Sequence, residues 1–183
     1  MRLALNAILL TLLFVSCKPQ EARRPLSISS GSFISESIDR NKKLASKEEA
    51  LIQKIIEEDT AHQYITSETG FWYFYTLKDS ISTTTPKFGD IVTFNYNVKD
   101  LKNNTIYSEQ ELDTITYRID KEELFLGLRE GLKLMKEGEK VTFFFPSYQA
   151  YGYYGDDHKI GTNIPLITEV TLNTITKEST TKN

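Results

Sequence analysis

Between Glu123 and Gly152 the apolar positions change their period twice. Leu124, Phe125, Leu128, Leu132 and Met135 fall on one stripe of a short helix. Lys133 and Lys136 suit the negative end of that helix, and Gly138, free to take positive φ, predicts its end. Val141 to Phe145 then runs unbroken in β-branched and aromatic residues, which predicts a strand. Pro146 closes it, because proline has no N–H to give to a ladder.

The same reading extends along the chain. From Phe33 to Asp59 the pattern is helical, with Phe33, Ile34 and Ile38 near its start and Leu44, Leu51, Ile52, Ile55 and Ile56 further on. Ser46-Lys47-Glu48-Glu49 has the form of a capping box and predicts that a second helix begins there. Gly70 to Tyr75 is dense in strand formers and predicts the first sheet strand. After a loop at Thr83 to Pro86, Phe88-Gly89-Asp90 opens a strand in which Val92, Phe94 and Tyr96 share one face, Thr93 and Asn95 the other. Lys102 to Thr105 reads as a hairpin turn, Ile106-Tyr107 as the return strand and Ile115 to Ile119 as another. Tyr153 to Asn163 is an aromatic, glycine-containing loop of the kind that covers ligand sites. Leu166 to Ile175 predicts a last strand before a polar tail, and no internal repeat is visible.

Size and charge narrow the possibilities. A chain of 183 residues, 39% hydrophobic and 11% aromatic, holds one well-cored domain with extensions. A net charge of -3 provides no basic footprint, so nucleic acid is not an expected partner. One cysteine and two distant histidines, His62 and His158, make neither a disulfide framework nor a closed metal site. No metal and no cofactor are implied.

Residues 1–16 carry Arg2 and an apolar run through Val15, too short to span a bilayer comfortably, and read as a signal peptide. Cys17 follows directly and resembles the cleavage box of a bacterial lipoprotein, with Phe14 where leucine is commoner. The alternative is an ordinary signal peptide that happens to contain a cysteine. Acyl chains at Cys17 would anchor the protein to a membrane without spanning it, at about 0.8 kcal/mol per buried methylene. Residues 17–32, with prolines, serines and no apolar period, read as a tether. The helical extension over residues 33–62 could dock on the following domain, dimerise or meet a partner.

The helix GLREGLKLMKEGEK, the apolar strand, Pro146 and Ala150-Tyr151-Gly152 together resemble the core of FKBP-type peptidyl-prolyl cis-trans isomerases. The resemblance reaches back to Gly89 to Tyr96 and forward to Leu166 to Leu172, covering roughly residues 70–176. With the lipoprotein-like N-terminus, the chain more narrowly resembles the FKBP-type lipoproteins associated with gliding motility in Bacteroidetes. The implied fold is α+β, an antiparallel half-barrel sheet wrapped on one short helix, preceded here by the helical extension. The implied pocket has Tyr96 and Tyr107 as walls, Ile115 from the strand before the helix, Leu124 and Phe125 at the rim, Leu128 as floor and Ile160 closing the far side. Ala150 sits beside Tyr151, whose hydroxyl would address the ligand carbonyl. Alternate apolar residues in a small sheet are also plain core, and for Leu124, Leu128 and Ile115 that reading stands equal to the pocket.

Four departures from the family pattern stand out. Ser108 follows Tyr107 where an aspartate is common, Leu128 replaces a tryptophan, Gly161-Thr162 stand where two prolines are usual, and Thr168 takes the place of a wall phenylalanine. The implied function is prolyl isomerisation of proline-containing exported polypeptides. The protein would be lipid-anchored in the cell envelope with its domain in the periplasm, its client including the gliding machinery. A catalytically weak or inactive FKBP-like binding module is the alternative, and the sequence leaves the oligomeric state open.

Overall fold

A computed structural model describes residues 30–178. The chain divides into two units, residues 1–37 and 38–183. The predicted signal peptide, Cys17 and almost all of the tether lie outside the described residues, as does the end of the tail. Of the first unit the described part is helical, with Phe33 and Ile34 exposed.

Helix α1 runs from Ser30 to Glu58 without interruption. No second helix begins at Ser46, and the expected capping box does not form. Ser46 has good helix formers before it, Lys42 to Ala45, so the chain simply continues as helix. Glu48 and Glu49 instead bond to Ser147 and Tyr148.

The sheet follows as β1 (Ile65–Thr66), β2 (Trp72–Leu77), β3 (Ile91–Tyr96), β4 (Val98–Asp100) and β5 (Thr105–Tyr107). After a single-turn helix α2 (Glu109–Leu112) come β6 (Ile115–Arg118), helix α3 (Leu126–Leu134), β7 (Lys140–Phe145) and β8 (Leu166–Thr176). The eight strands form one antiparallel sheet in the order β1-β2-β7-β8-β3-β6, with β4 pairing both β8 and β5. β8 is long enough to pair β4 with its first residues and β3 with the rest. Asn97 marks the break between those two strands, exchanging bonds with the Glu169 backbone through its own N–H and its side-chain Oδ1.

Strand β7 explains the unbroken apolar run. Val141, Phe143 and Phe145 enter the main core with Leu128 and Leu132 of α3. Phe144 points to the opposite face and packs with Ile52 of α1, Phe74 and Ile167. A strand covered on both sides has no polar face to display, so it does not alternate. Helix α3 sits close to these rings because Gly127 and Gly131 face them. A Cβ on Gly127 would lie 2.4 Å from Phe145 Cδ1, and one on Gly131 2.9 Å from Phe143 Cε1.

Helix α3 ends earlier than its pattern predicts. Met135 is already extended, at φ -90 and ψ 153. Gly138, at φ 82, serves the following turn instead, where its N–H donates to the Leu172 carbonyl at 2.7 Å.

Candidate active site

The start of α3 and the segment after β7 meet at the rim of a hollow. Pro146 ends β7, a 3-10 turn covers Ser147–Gln149, and Ala150, Tyr151 and Gly152 follow. The Ser147 carbonyl accepts from the N–H groups of Ala150 at 3.0 Å and Gly152 at 2.9 Å, which folds this segment back on itself. The Tyr151 ring thereby lies 5.1 Å from that of Phe125, tilted by 45°. Phe125 in turn stands edge-on to Phe145 at 5.4 Å.

A depression of ≈ 490 Å³ opens here, walled by Leu124, Phe125, Ala150 and Tyr151, with Glu122, Glu123 and Arg129 as its charged members. Tyr96, Leu128 and Ile160 do not line this depression and are buried members of the main core, against which Tyr107, Ile115 and Leu124 pack partly exposed. Ile115 pairs with Phe94 across β3 and β6, which puts it on the core face. Tyr96, Tyr107, Ile115, Leu124, Phe125, Leu128, Ala150, Tyr151 and Ile160 all belong to the main core or pack against it, and of these Leu124, Phe125, Ala150 and Tyr151 line the hollow.

The three tyrosine hydroxyls differ in their engagement. Those of Tyr96 and Tyr151 make no hydrogen bond to another described residue. Burial pushes the Tyr151 hydroxyl well above the ordinary tyrosine value, with Tyr96, Asp156 and Tyr107 adding to the shift. Burial also raises Tyr96, with Tyr107 adding to it. Both therefore remain protonated donors at neutral pH. Tyr107 instead donates to Asp156 and accepts from the Lys159 N–H at 3.3 Å.

Two of the expected polar positions take other roles. Ser108 is not a polar tip in the hollow: its hydroxyl caps helix α2, accepting from the Glu111 N–H at 3.2 Å. A cap satisfies a donor that the first helical turn would otherwise leave unpaired. Thr168 lies opposite Phe143 in the sheet and is fully buried, and its Oγ1 has no hydrogen-bond partner among the described residues.

Besides Glu122 and Glu123 at the rim, a further carboxylate, that of Asp156 in the loop between Gly152 and Asn163, engages Tyr107. Asp156 accepts from the N–H groups of His158 at 2.9 Å and Ile160 at 2.8 Å as well as from the Tyr107 hydroxyl. Burial would raise this carboxyl, but the bonds from Tyr107, Ile160 and His158 outweigh it and hold it below the usual range. Lys159 pairs with Glu111 and lies over the Tyr107 ring at 4.7 Å. An aspartate two and four residues ahead of available N–H groups is a loop-forming pattern, and that signal was present in the sequence.

The model of the FKBP-type peptidyl-prolyl cis-trans isomerase family matches residues 82–173, half of the chain, and the chain belongs to this family. Among curated proteins it is similar to a probable FKBP-type peptidyl-prolyl cis-trans isomerase, FkpA, of Neisseria meningitidis serogroup B, at 33% identity over 87 residues. That match takes in 48% of this chain and 32% of the relative, so the chain spans about a third of the length of that protein. Among solved structures it is similar in fold to FkpA from Escherichia coli, with a TM-score of 0.59 at 24% identity, over 96% of this chain and 82% of that one. A peptidyl-prolyl cis-trans isomerase from Pseudomonas syringae pv. tomato gives a TM-score of 0.60 at 19% identity, over 74% and 96% of the two chains.

Proposed function

We propose that this chain catalyses cis-trans isomerisation of X-Pro bonds, with the hollow at Phe125 and Tyr151 receiving the proline. The observation that carries the reading is the aromatic rim of Phe125 and Tyr151 on an apolar hollow, with the Tyr151 hydroxyl bonded to no other described residue.

The reaction needs no acid, base or nucleophile. The barrier is about 18–20 kcal/mol because twisting the amide breaks its resonance. A planar amide is more polar than a twisted one, so stripping water from the carbonyl favours the twisted state. Leu124, Phe125, Ala150 and Tyr151 provide the apolar wall for that step. The Tyr151 hydroxyl would then donate to the rotated carbonyl, where a preorganised donor lowers the barrier further. Tyr96, Tyr107, Ile115, Leu128 and Ile160 shape the hollow from behind.

The substrates would be proline-containing exported polypeptides, whose slow proline steps can limit folding. Anchoring through acyl chains at Cys17, in a bacterial cell envelope with the domain on the periplasmic side, accords with the signal-like N-terminus. The resemblance to gliding-motility lipoproteins would make surface motility proteins part of the clientele. A two-dimensional NMR titration of the full chain with a short Ala-Pro-Phe peptide tests the site. Shifts centred on Tyr96, Phe125 and Tyr151, with exchange peaks between cis and trans peptide, are expected. Binding without such exchange peaks would leave a binding module and refute the catalytic reading.

A further inference from the structure

Helix α1 lies entirely outside the span matched to the family, yet it reaches the segment that carries Tyr151. Glu48 is 4% exposed and Ser147 2%. Glu48 Oε2 accepts from the Ser147 N–H at 2.7 Å and its Oε1 from the Ser147 hydroxyl at 2.8 Å. One turn of chain later, the same Ser147 offers its carbonyl to Ala150 and Gly152. The Gly152 carbonyl then accepts from the Asn163 N–H at 2.8 Å, at the far end of the loop. Beside Glu48, Glu49 Oε1 lies 3.0 Å from the Tyr148 hydroxyl. A continuous set of bonds thus runs from α1 through Ser147 to both sides of Tyr151.

Glu48 has no ion-pair partner among the described residues. Its buried carboxylate depends on the two donors of Ser147, and bonds to an ionised acceptor are stronger than neutral ones. Moving Ser147 would strand that carboxylate in the interior, which is costly. The arrangement therefore resists displacement of the turn that sets the Tyr151 backbone. A surface helix held only by Ile52, Ile55 and Ile56 would tolerate such a shift far more easily.

We infer that Glu48 is a positioning residue of the active site, and that the second half of helix α1 belongs to the catalytic apparatus by holding Tyr151 in place. This rests on the isomerase reading given above. Glu48→Gln keeps the shape of the side chain and removes its charge, and Ser147→Ala removes one of the two donors. In the full chain, at a temperature where circular dichroism shows each variant folded, amide exchange at Ala150 and Gly152 should quicken about tenfold, while Val170 in β8 is unaffected. The value of kcat for a prolyl peptide should fall about fivefold with KM little changed, and the double variant should be no worse than the poorer single one. Glu48→Asp, which keeps the charge, should restore part of both. Unchanged exchange at Ala150 and Gly152, or a lowered Tm with kcat intact, would overturn the inference. Should one variant not fold, the other decides by the same readouts. If the parent chain accelerates no prolyl peptide, the isomerase reading fails on its own, and the exchange measurement still decides whether Glu48 holds the segment.

Discussion

The hydroxyl of Tyr107, at the end of β5, donates to the carboxylate of Asp156, 49 residues away in the loop that borders the hollow. The neighbouring Lys159 side chain pairs with Glu111 of α2, so two polar links fasten that loop to the β5 hairpin. Tyr107→Phe keeps the aromatic wall and cuts one link. The loss is about 1 kcal/mol, so KM for a prolyl peptide should rise about fivefold, and Asp156→Asn should act in the same direction. Because the bonds hold the Asp156 carboxyl below its ordinary value of 3.8, the link is fully present above that pH. It weakens as the pH falls through the lower, folded value. Steady-state kinetics of both variants check this, and an unchanged KM in each would contradict it.

Gly127 is held by close contact. A Cβ there would lie 2.9 Å from the Gln149 carbonyl oxygen, a backbone atom that cannot swing away, as well as against Phe145. Gly127→Ala should lower stability by about 2 kcal/mol or more, in spite of alanine's better helix propensity. Urea unfolding followed by circular dichroism gives the value, and an unchanged or higher midpoint would refute the close-packing argument.

Thr168 buries a hydroxyl with no partner among the described residues. Valine has nearly the same shape without the polar atom, so Thr168→Val should stabilise the protein by about 1 kcal/mol. A higher Tm in calorimetry is the expected outcome, and a lower one would mean that the hydroxyl is satisfied after all.

Asp59 ends helix α1 and gathers the Ala61 N–H at 2.9 Å, His62 Nδ1 at 2.7 Å and the Tyr64 hydroxyl at 2.9 Å. Hydrogen bonding, from His62 first and then from Ala61 and Tyr64, lowers its pKa from 3.8 to about 2. A depressed carboxylate contributes stability that is complete above the unfolded value and disappears as the pH falls through the folded one. The stability difference between the parent chain and Asp59→Asn should therefore close as the pH falls from about 4 to about 2. A difference that persists unchanged at the acid end would contradict the assignment.

Much of this fold can be read along the chain because burial leaves a periodic trace. Val92, Phe94 and Tyr96 alternate since β3 has one core face, and Phe143, Phe144 and Phe145 do not because β7 is covered on both. Tyr96 and Tyr151 could be singled out because a largely buried tyrosine must still place its hydroxyl. The capping motif was less informative. Ser46 to Glu49 and Ser108 to Glu111 have the same local form, yet only Ser108 caps a helix. Ser108 follows a strand and can take the extended conformation a cap requires, whereas Ser46 is embedded in helix formers. Even at α2 the box is half-made, since the Glu111 carboxylate turns to Lys159. The pairings of Asp156 with Tyr107 and of Glu48 with Ser147 are not legible for another reason. The partners stand 49 and 99 residues apart, and no local pattern encodes such pairings.

Catalysis through Tyr151 and Tyr96 is tested most directly by a protease-coupled prolyl peptide assay of the full chain beside Tyr151→Phe and Tyr96→Ala. Clear acceleration over buffer by the parent chain is expected. Tyr151→Phe should lose about tenfold in kcat/KM through the missing donor, and Tyr96→Ala at least as much through the opened wall. Isomerisation at the buffer rate with the parent chain, or equal rates for the parent and both variants, would contradict it.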